Sequence, residues 1–241
     1  MWGQIPEKMS RTRQNLSTLL MEAHIVSYNL YNIPVYFKDK FIDQDIDVQA
    51  AIDEIEQRIP SQFLYGIDTI FVGSFEDFDN KNTNAKLENG AIYVSNEQDS
   101  EEDMIDDIVH EIAHNVENLY GESIYADSAV EVEFLGKRKR LLQILQAEYG
   151  HDAVKSVVSD ILNPEFSEKF DEFLYKVVGY PSLVSLGMGL FVSPYGATSL
   201  REYFASAFEH YFLQDAEYVR TVSPAVYKKI EKTLQESQEI N

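Results

Sequence analysis

Asp106-Asp107-Ile108-Val109-His110-Glu111-Ile112-Ala113-His114-Asn115 is the stretch on which the reading of the chain turns. It contains the pattern His-Glu-x-x-His. On an α-helix of 3.6 residues per turn, His110 and His114 stand one turn apart on one face, so two imidazoles can hold one Zn²⁺ from the same side. Glu111 follows the first His, which lets its carboxylate reach a water on the metal instead of the metal itself. Two ligands and a general base on one helix are the sequence logic of a zinc peptidase. The chain has five His in 241 residues, so a pair at this spacing around a Glu argues against two incidental histidines.

Around the motif the patterning predicts a helix that starts at Ser100 as N-cap, with Glu101, Glu102 and Asp103 at the positive end of its dipole. It runs to about Tyr120, where Gly121 is the natural stop, and Ile105, Ile108, Ile112 and Val116 form its apolar stripe. Upstream, Gly90–Ser95 and Thr69–Gly73 read as strands, and polar residues 75–89, with Asn80, Asn82 and Asn84, as a loop. Asp47–Ile59 is an amphipathic helix stopped by Pro60. Ile25–Tyr28 and Ile33–Phe37 are short strands, the second placed at an edge by Pro34. Residues 11–22 read as a helix. Downstream, Ala129–Tyr149, Val154–Leu162, Phe166–Val178, Leu200–Leu213 and a last segment opened by Ser223-Pro224 are helical, and residues 179–196 read as loop or short elements.

The expected fold class is therefore α+β, a zincin-like metallopeptidase domain with a small twisted mixed sheet, the motif helix and a mostly helical C-terminal half. A single domain over residues 1–241 is expected: a sheet-containing part to 121, a helical insertion over 122–190 and a helical part over 191–241. The strand before the motif helix is expected at a sheet edge, where Ala91, Ile92, Tyr93 and Val94 would pair with an extended substrate.

A catalytic zinc site needs a third protein ligand and leaves the fourth position to water. Positions 117 and 120 hold Glu117 and Tyr120, not the Gly and His of the metzincin pattern. A Glu from a later helix is the alternative, and Glu202 in Leu200-Arg201-Glu202-Tyr203-Phe204-Ala205-Ser206-Ala207-Phe208 is the best placed, with Ala205 and Ser206 leaving room beside it. The competing reading of Glu202 is a capping box with Ser199, its carboxylate bonding backbone N–H groups.

His110-Glu111-Ile112-Ala113-His114, Tyr195 seven residues before Glu202, and the Glu-Tyr-Phe-Ala-Ser-Ala-Phe run together resemble the catalytic domain of anthrax lethal factor and its relatives, the Pro-Pro endopeptidases among them. The resemblance covers roughly residues 88–120 and 193–213. It implies that His110, His114 and Glu202 bind one Zn²⁺, that Glu111 activates the water and that Tyr195 stabilises the oxyanion. The chain departs from that family at Ser206, where a second Glu is common, and in the long segment between His114 and Glu202. The phage-repressor-cleaving, IrrE-like regulatory metallopeptidases share a similar motif helix and a later Glu, without the spaced Tyr or the long insertion.

Other residues carry a plainer reading beside a functional one. Tyr195 also fits an ordinary Ser-Pro-Tyr-Gly turn. Asp107, one turn before Glu111, is expected as a surface carboxylate, and His210 as interfacial or solvated. Lys137-Arg138-Lys139-Arg140 is expected as a solvated helix face.

Composition narrows the partners. The chain carries 41 Asp+Glu against 20 Lys+Arg, a formal charge of −21, which argues against nucleic acid and anionic membranes. Zero Cys excludes disulfides, thiolate zinc sites and Cys nucleophiles. No secretory signal or membrane span is read in the sequence, and a bacterial cytoplasmic or phage-associated setting is expected, with a secreted mature form as the alternative. The function expected is a zinc metalloendopeptidase acting on a peptide or protein. The alternative is a catalytically silent scaffold or virion assembly protein on the same fold, which metal analysis separates from the enzyme.

Overall fold

The computed structural model describes residues 24–42, 46–76, 78, 84–187 and 189–239. The helix expected over 11–22 lies outside them. The chain divides into two compact units between Asn115 and Val116.

The first unit is built on a five-stranded mixed sheet of order β1-β2-β3-β5-β4, with β1 His24–Leu30, β2 Ile33–Phe37, β3 Thr69–Gly73, β4 Ala85–Glu88 and β5 Ala91–Ser95. β2, β3 and β5 run parallel; β1 and β4 pair antiparallel on the two flanks. Every residue of β3 is buried, as its unbroken apolar run requires of a central parallel strand. Helix α1, Val48–Arg58, connects β2 to β3. Asp47 caps it by accepting from Ala50 N at 3.0 Å, and Val48, Ala51, Ile52 and Ile55 are its buried face.

Three expectations are corrected in this sheet. β2 is not an edge: Pro34 pairs with β1 only, and the parallel ladder with β3 begins one residue later, at Val35, so the missing N–H is not needed there. The segment read as loop over 75–89 contains β4, joined to β5 by Asn89 (φ 53) and Gly90 (φ 79). That is the left-handed pair a two-residue type I′ hairpin demands, and a β-carbon on Gly90 would stand 3.0 Å from the Gly66 carbonyl. β5 is consequently paired on both sides. Ala91, Ile92, Tyr93 and Val94 face β3 and β4 and cannot accept an added strand; the sheet edge on that side is β4.

Helix α2, Glu101–Tyr125, begins where Ser100 Oγ accepts from Asp103 N at 3.2 Å. Its stop at Gly121 becomes a kink: Tyr120 leaves helical geometry (φ −117, ψ 16) and the helix resumes to Tyr125.

The second unit is helical. Its main elements are α3 Ala129–Tyr149, α4 Leu200–Leu213, α5 Ala216–Val222 and α6 Pro224–Glu239. Between α3 and α4 lie short helices at His151–Val154, Val158–Ile161 and Glu168–Glu172, and a π-helix at Phe173–Val178 closed by Gly179 N on Leu174 O. The segment expected as loop or short elements over 179–196 contains one short helix, Tyr180–Leu186, with Pro181 in its first turn. Phe134 of α3 packs on Tyr203 of α4 with ring centroids 5.3 Å apart. Glu133 joins three helices by accepting from Tyr203 Oη at 2.8 Å and from Ala225 N at 2.9 Å. No described helix is long and apolar enough to cross a membrane.

Candidate metal centre

Helix α2 presents the motif because its opposite face is held. Met104, Ile105, Ile108, Val109, Ile112, Ala113 and Val116 are all buried, and this stripe fixes the rotation of the helix about its axis. His110 and His114 then share the half-buried face, with ring centroids 5.0 Å apart at 85°. Glu111 is buried. Asn115 anchors the turn after the second His: its Nδ2 donates to the carbonyls of Phe63 at 2.8 Å and Tyr65 at 3.0 Å.

Asp107 is not the surface carboxylate expected of it. It is half-buried and accepts from Gln98 Nε2 at 2.9 Å; Gln98 also donates to Ser95 O at 3.1 Å, so the end of β5 is tied to α2. Burial pushes the Asp107 carboxyl up to about 6, against the Gln98 hydrogen bond and the charge of His110, which lower it.

Glu202 occupies the first turn of α4. Ser199 caps this helix by accepting from Glu202 N at 3.2 Å, and Tyr203, Phe204, Ala205, Ser206, Ala207 and Phe208 are buried. Tyr195 opens the 3₁₀ turn Tyr195–Ala197 just before it. Thr198 closes that turn by donating through Oγ1 to the Tyr195 carbonyl at 2.8 Å, and the Tyr195 side chain stays 39% exposed. Ser206, where the resembled family commonly has Glu, accepts from Ser193 Oγ at 2.9 Å. His210 lies half-buried against the ring of Tyr218, centroids 5.2 Å apart, and burial lowers its pKa.

Among the described residues, one group of His and acidic side chains could hold a metal ion: His110, His114 and Glu202, whose ligand atoms lie within 4.8 Å of one another. Two imidazole nitrogens and one carboxylate oxygen are a donor set that suits zinc. Tetrahedral Zn²⁺ with bonds of about 2.1 Å places its ligands about 3.4 Å apart.

The basic run at 137–140 is the largest departure from the sequence reading. Lys139 and Arg140 are exposed, but Arg138 is fully buried and Lys137 half-buried. Both long side chains are drawn inward to backbone carbonyls. A sequence signal was present, since Val130, Phe134, Arg138, Leu141 and Leu145 fall on one face of α3 and are its buried residues.

Comparison with family models, with curated proteins and with solved structures gives no match.

Proposed function

We propose that this protein is a zinc-dependent metalloendopeptidase of zincin type, similar to the lethal-factor family. The observation that carries the proposal is the donor set: His110, His114 and Glu202 offer ligand atoms within 4.8 Å of one another, and the residue after the first His is a buried Glu. A sheet followed directly by the motif helix is consistent with a zincin-like fold. A bound Zn²⁺ would supply Lewis acidity at the scissile carbonyl and bring the pKa of its water to about 7.

The chain's own residues supply the rest. Glu111 takes a proton from the attacking water and passes it to the leaving amine. Tyr195 donates its hydroxyl hydrogen to the carbonyl oxygen as negative charge develops there. An extended peptide pairs with the open edge of β4.

The test is metal analysis followed by a single substitution. Purified protein is expected to carry one zinc per chain and to cleave a peptide library in a chelator-sensitive way. Glu111→Gln is expected to keep the zinc and lose at least about 100-fold in hydrolysis. Zinc-free protein would sink the proposal; zinc-loaded protein in which Glu111→Gln cleaves at the original rate would sink the base assignment.

A further inference from the structure

Two adjacent cations of α3, Lys137 half-buried and Arg138 fully buried, have backbone carbonyls as their hydrogen-bond partners. Lys137 Nζ donates to Leu190 O and to Val222 O. Arg138 donates through NH1 to Asp160 O at 3.2 Å and Ile161 O at 3.4 Å, and through NH2 to Thr198 O at 2.6 Å. The arrangement is the same for both. Each cation takes carbonyls from the C-terminal end of a short helix, Ala216–Val222 for Lys137 and Val158–Ile161 for Arg138, where positive charge is favoured. Each also takes one end of the segment running from Leu190 to Thr198, and Tyr195 lies within that segment.

The residues surrounding the two side chains are defined. Lys137 lies over the rings of Phe191 and Tyr203, with Glu133 as the nearby carboxylate. Arg138 is stacked between Phe134 and Phe170, 4.8 and 4.5 Å from their centroids, with Asp160 nearby. Among the described residues neither cation pairs with a carboxylate side chain. Burying a charge without its counter-ion is costly, and methionine or leucine would fill the space more cheaply. What the cations add is donors aimed at the two ends of one segment.

We infer that Lys137 and Arg138 are positioning residues that clamp the Leu190–Thr198 segment at both ends and so fix the placement of Tyr195. The role assigned to Tyr195 rests on the peptidase reading; the clamp does not. Between its ends the segment is held by Gly196 N on Ser193 Oγ at 3.1 Å, by Ser193 Oγ donating to Ser206 Oγ of α4 at 2.9 Å, by Thr198 Oγ1 donating to the Tyr195 carbonyl at 2.8 Å, and by the turn closed on the Pro194 and Tyr195 carbonyls. Removing one cation takes away the bond at one end of this segment.

The experiment uses the full chain and reads backbone protection before any activity. Hydrogen exchange is followed in Lys137→Met, Arg138→Met and the conservative Lys137→Arg. The 190–198 peptide is expected to exchange about tenfold faster in the methionine variants while peptides from α3 and α4 keep their rates, and Lys137→Arg is expected to restore protection. Fluorotyrosine at position 195 is expected to give one narrow ¹⁹F line that broadens or splits in the methionine variants. Unchanged exchange over 190–198 overturns the inference; so does loosening spread evenly over the second unit, which would make the pair ordinary core. If the protein also cleaves peptides, Lys137→Met is expected to lower kcat with little change in KM, and to have no effect in a Tyr195→Phe background. Absence of all cleavage would count against the peptidase reading alone and leave the exchange and fluorine results standing.

Discussion

A β-carbon built on Gly196 would stand 3.3 Å from both Cβ and Oγ of Ser206. The turn that carries Tyr195 therefore lies directly on the helix that carries Glu202, and each of the two positions is small because the other is close. Ser206 is buried beside that turn. Ser206→Glu is expected to destabilise the protein by about 2–4 kcal/mol, through overpacking and a buried unpaired carboxylate. Gly196→Ala, which needs only a few tenths of an ångström of adjustment, is expected to cost about 1 kcal/mol. Urea unfolding of both variants measures the difference; equal and negligible effects would show that the contact is not tight.

Glu202 was the position at which two sequence readings competed, and the structure accommodates parts of both. The cap uses its backbone: Ser199 Oγ takes the Glu202 N–H. The group that could hold a metal includes its side chain, with a carboxylate oxygen within 4.8 Å of a nitrogen of each imidazole. The two roles can be separated by substitution. Ser199→Ala is expected to cost about 1 kcal/mol of stability and leave zinc stoichiometry intact. Glu202→Ala is expected to keep the helix, by circular dichroism, and weaken zinc binding by at least about 100-fold. A Glu202→Ala protein that titrates with zinc like the parent would remove Glu202 from the ligand set.

What could be read from the sequence followed the range of the interactions involved. Ser100 as a cap, the bounds of α1 and the strand β3 depend on neighbours a few residues away, and these emerged at or within one residue of the expected places. Strand β4 did not, because Ala-Lys-Leu-Glu has little intrinsic strand character; it is a strand by virtue of its pairing with β5. The Asn89-Gly90 step was the local signal that could have revealed it. Arg138 falls on the buried face of α3 by its spacing from Phe134 and Leu141, but the carbonyls that receive it and Lys137 could not be read, since they come from residues as much as 85 positions away. Four consecutive basic residues look solvated until those partners are known.

Asn115 offers a test of how the motif helix is held. Its amide donates to two carbonyls in the Phe63–Tyr65 turn, and it is buried. Asn115→Asp keeps the shape but turns an oxygen toward those carbonyls, where the donor was. It is expected to cost about 3 kcal/mol or more at neutral pH, with Asn115→Ala nearer about 2 kcal/mol. The aspartate variant is further expected to regain part of its stability as the pH is lowered and the carboxyl protonates, becoming a donor again. A pH-independent deficit would mean that the carbonyls find another partner.

Lys137 yields the pH dependence with a definite sign. Burial lowers its pKa from the ordinary 10.5 to about 8, Glu133 opposing. Below that value both the folded and the unfolded chain hold the proton, and the fold bears the cost of a desolvated charge. Between about 8 and 10.5 the unfolded chain is still protonated while the folded one is not, so the unfolded state binds more protons and this residue's contribution to stability rises with pH. The neutral amine keeps two N–H donors, enough for the carbonyls of Leu190 and Val222, so the clamp survives deprotonation. Lys137→Met lacks this titration, and Lys137→Arg moves it out of range because arginine holds its proton far above pH 10. Urea midpoints measured across the window are expected to rise for the parent relative to both variants, with the other lysines and tyrosines cancelling in the comparison. A difference that stays level throughout would show that the Lys137 ammonium remains hydrated in the folded protein.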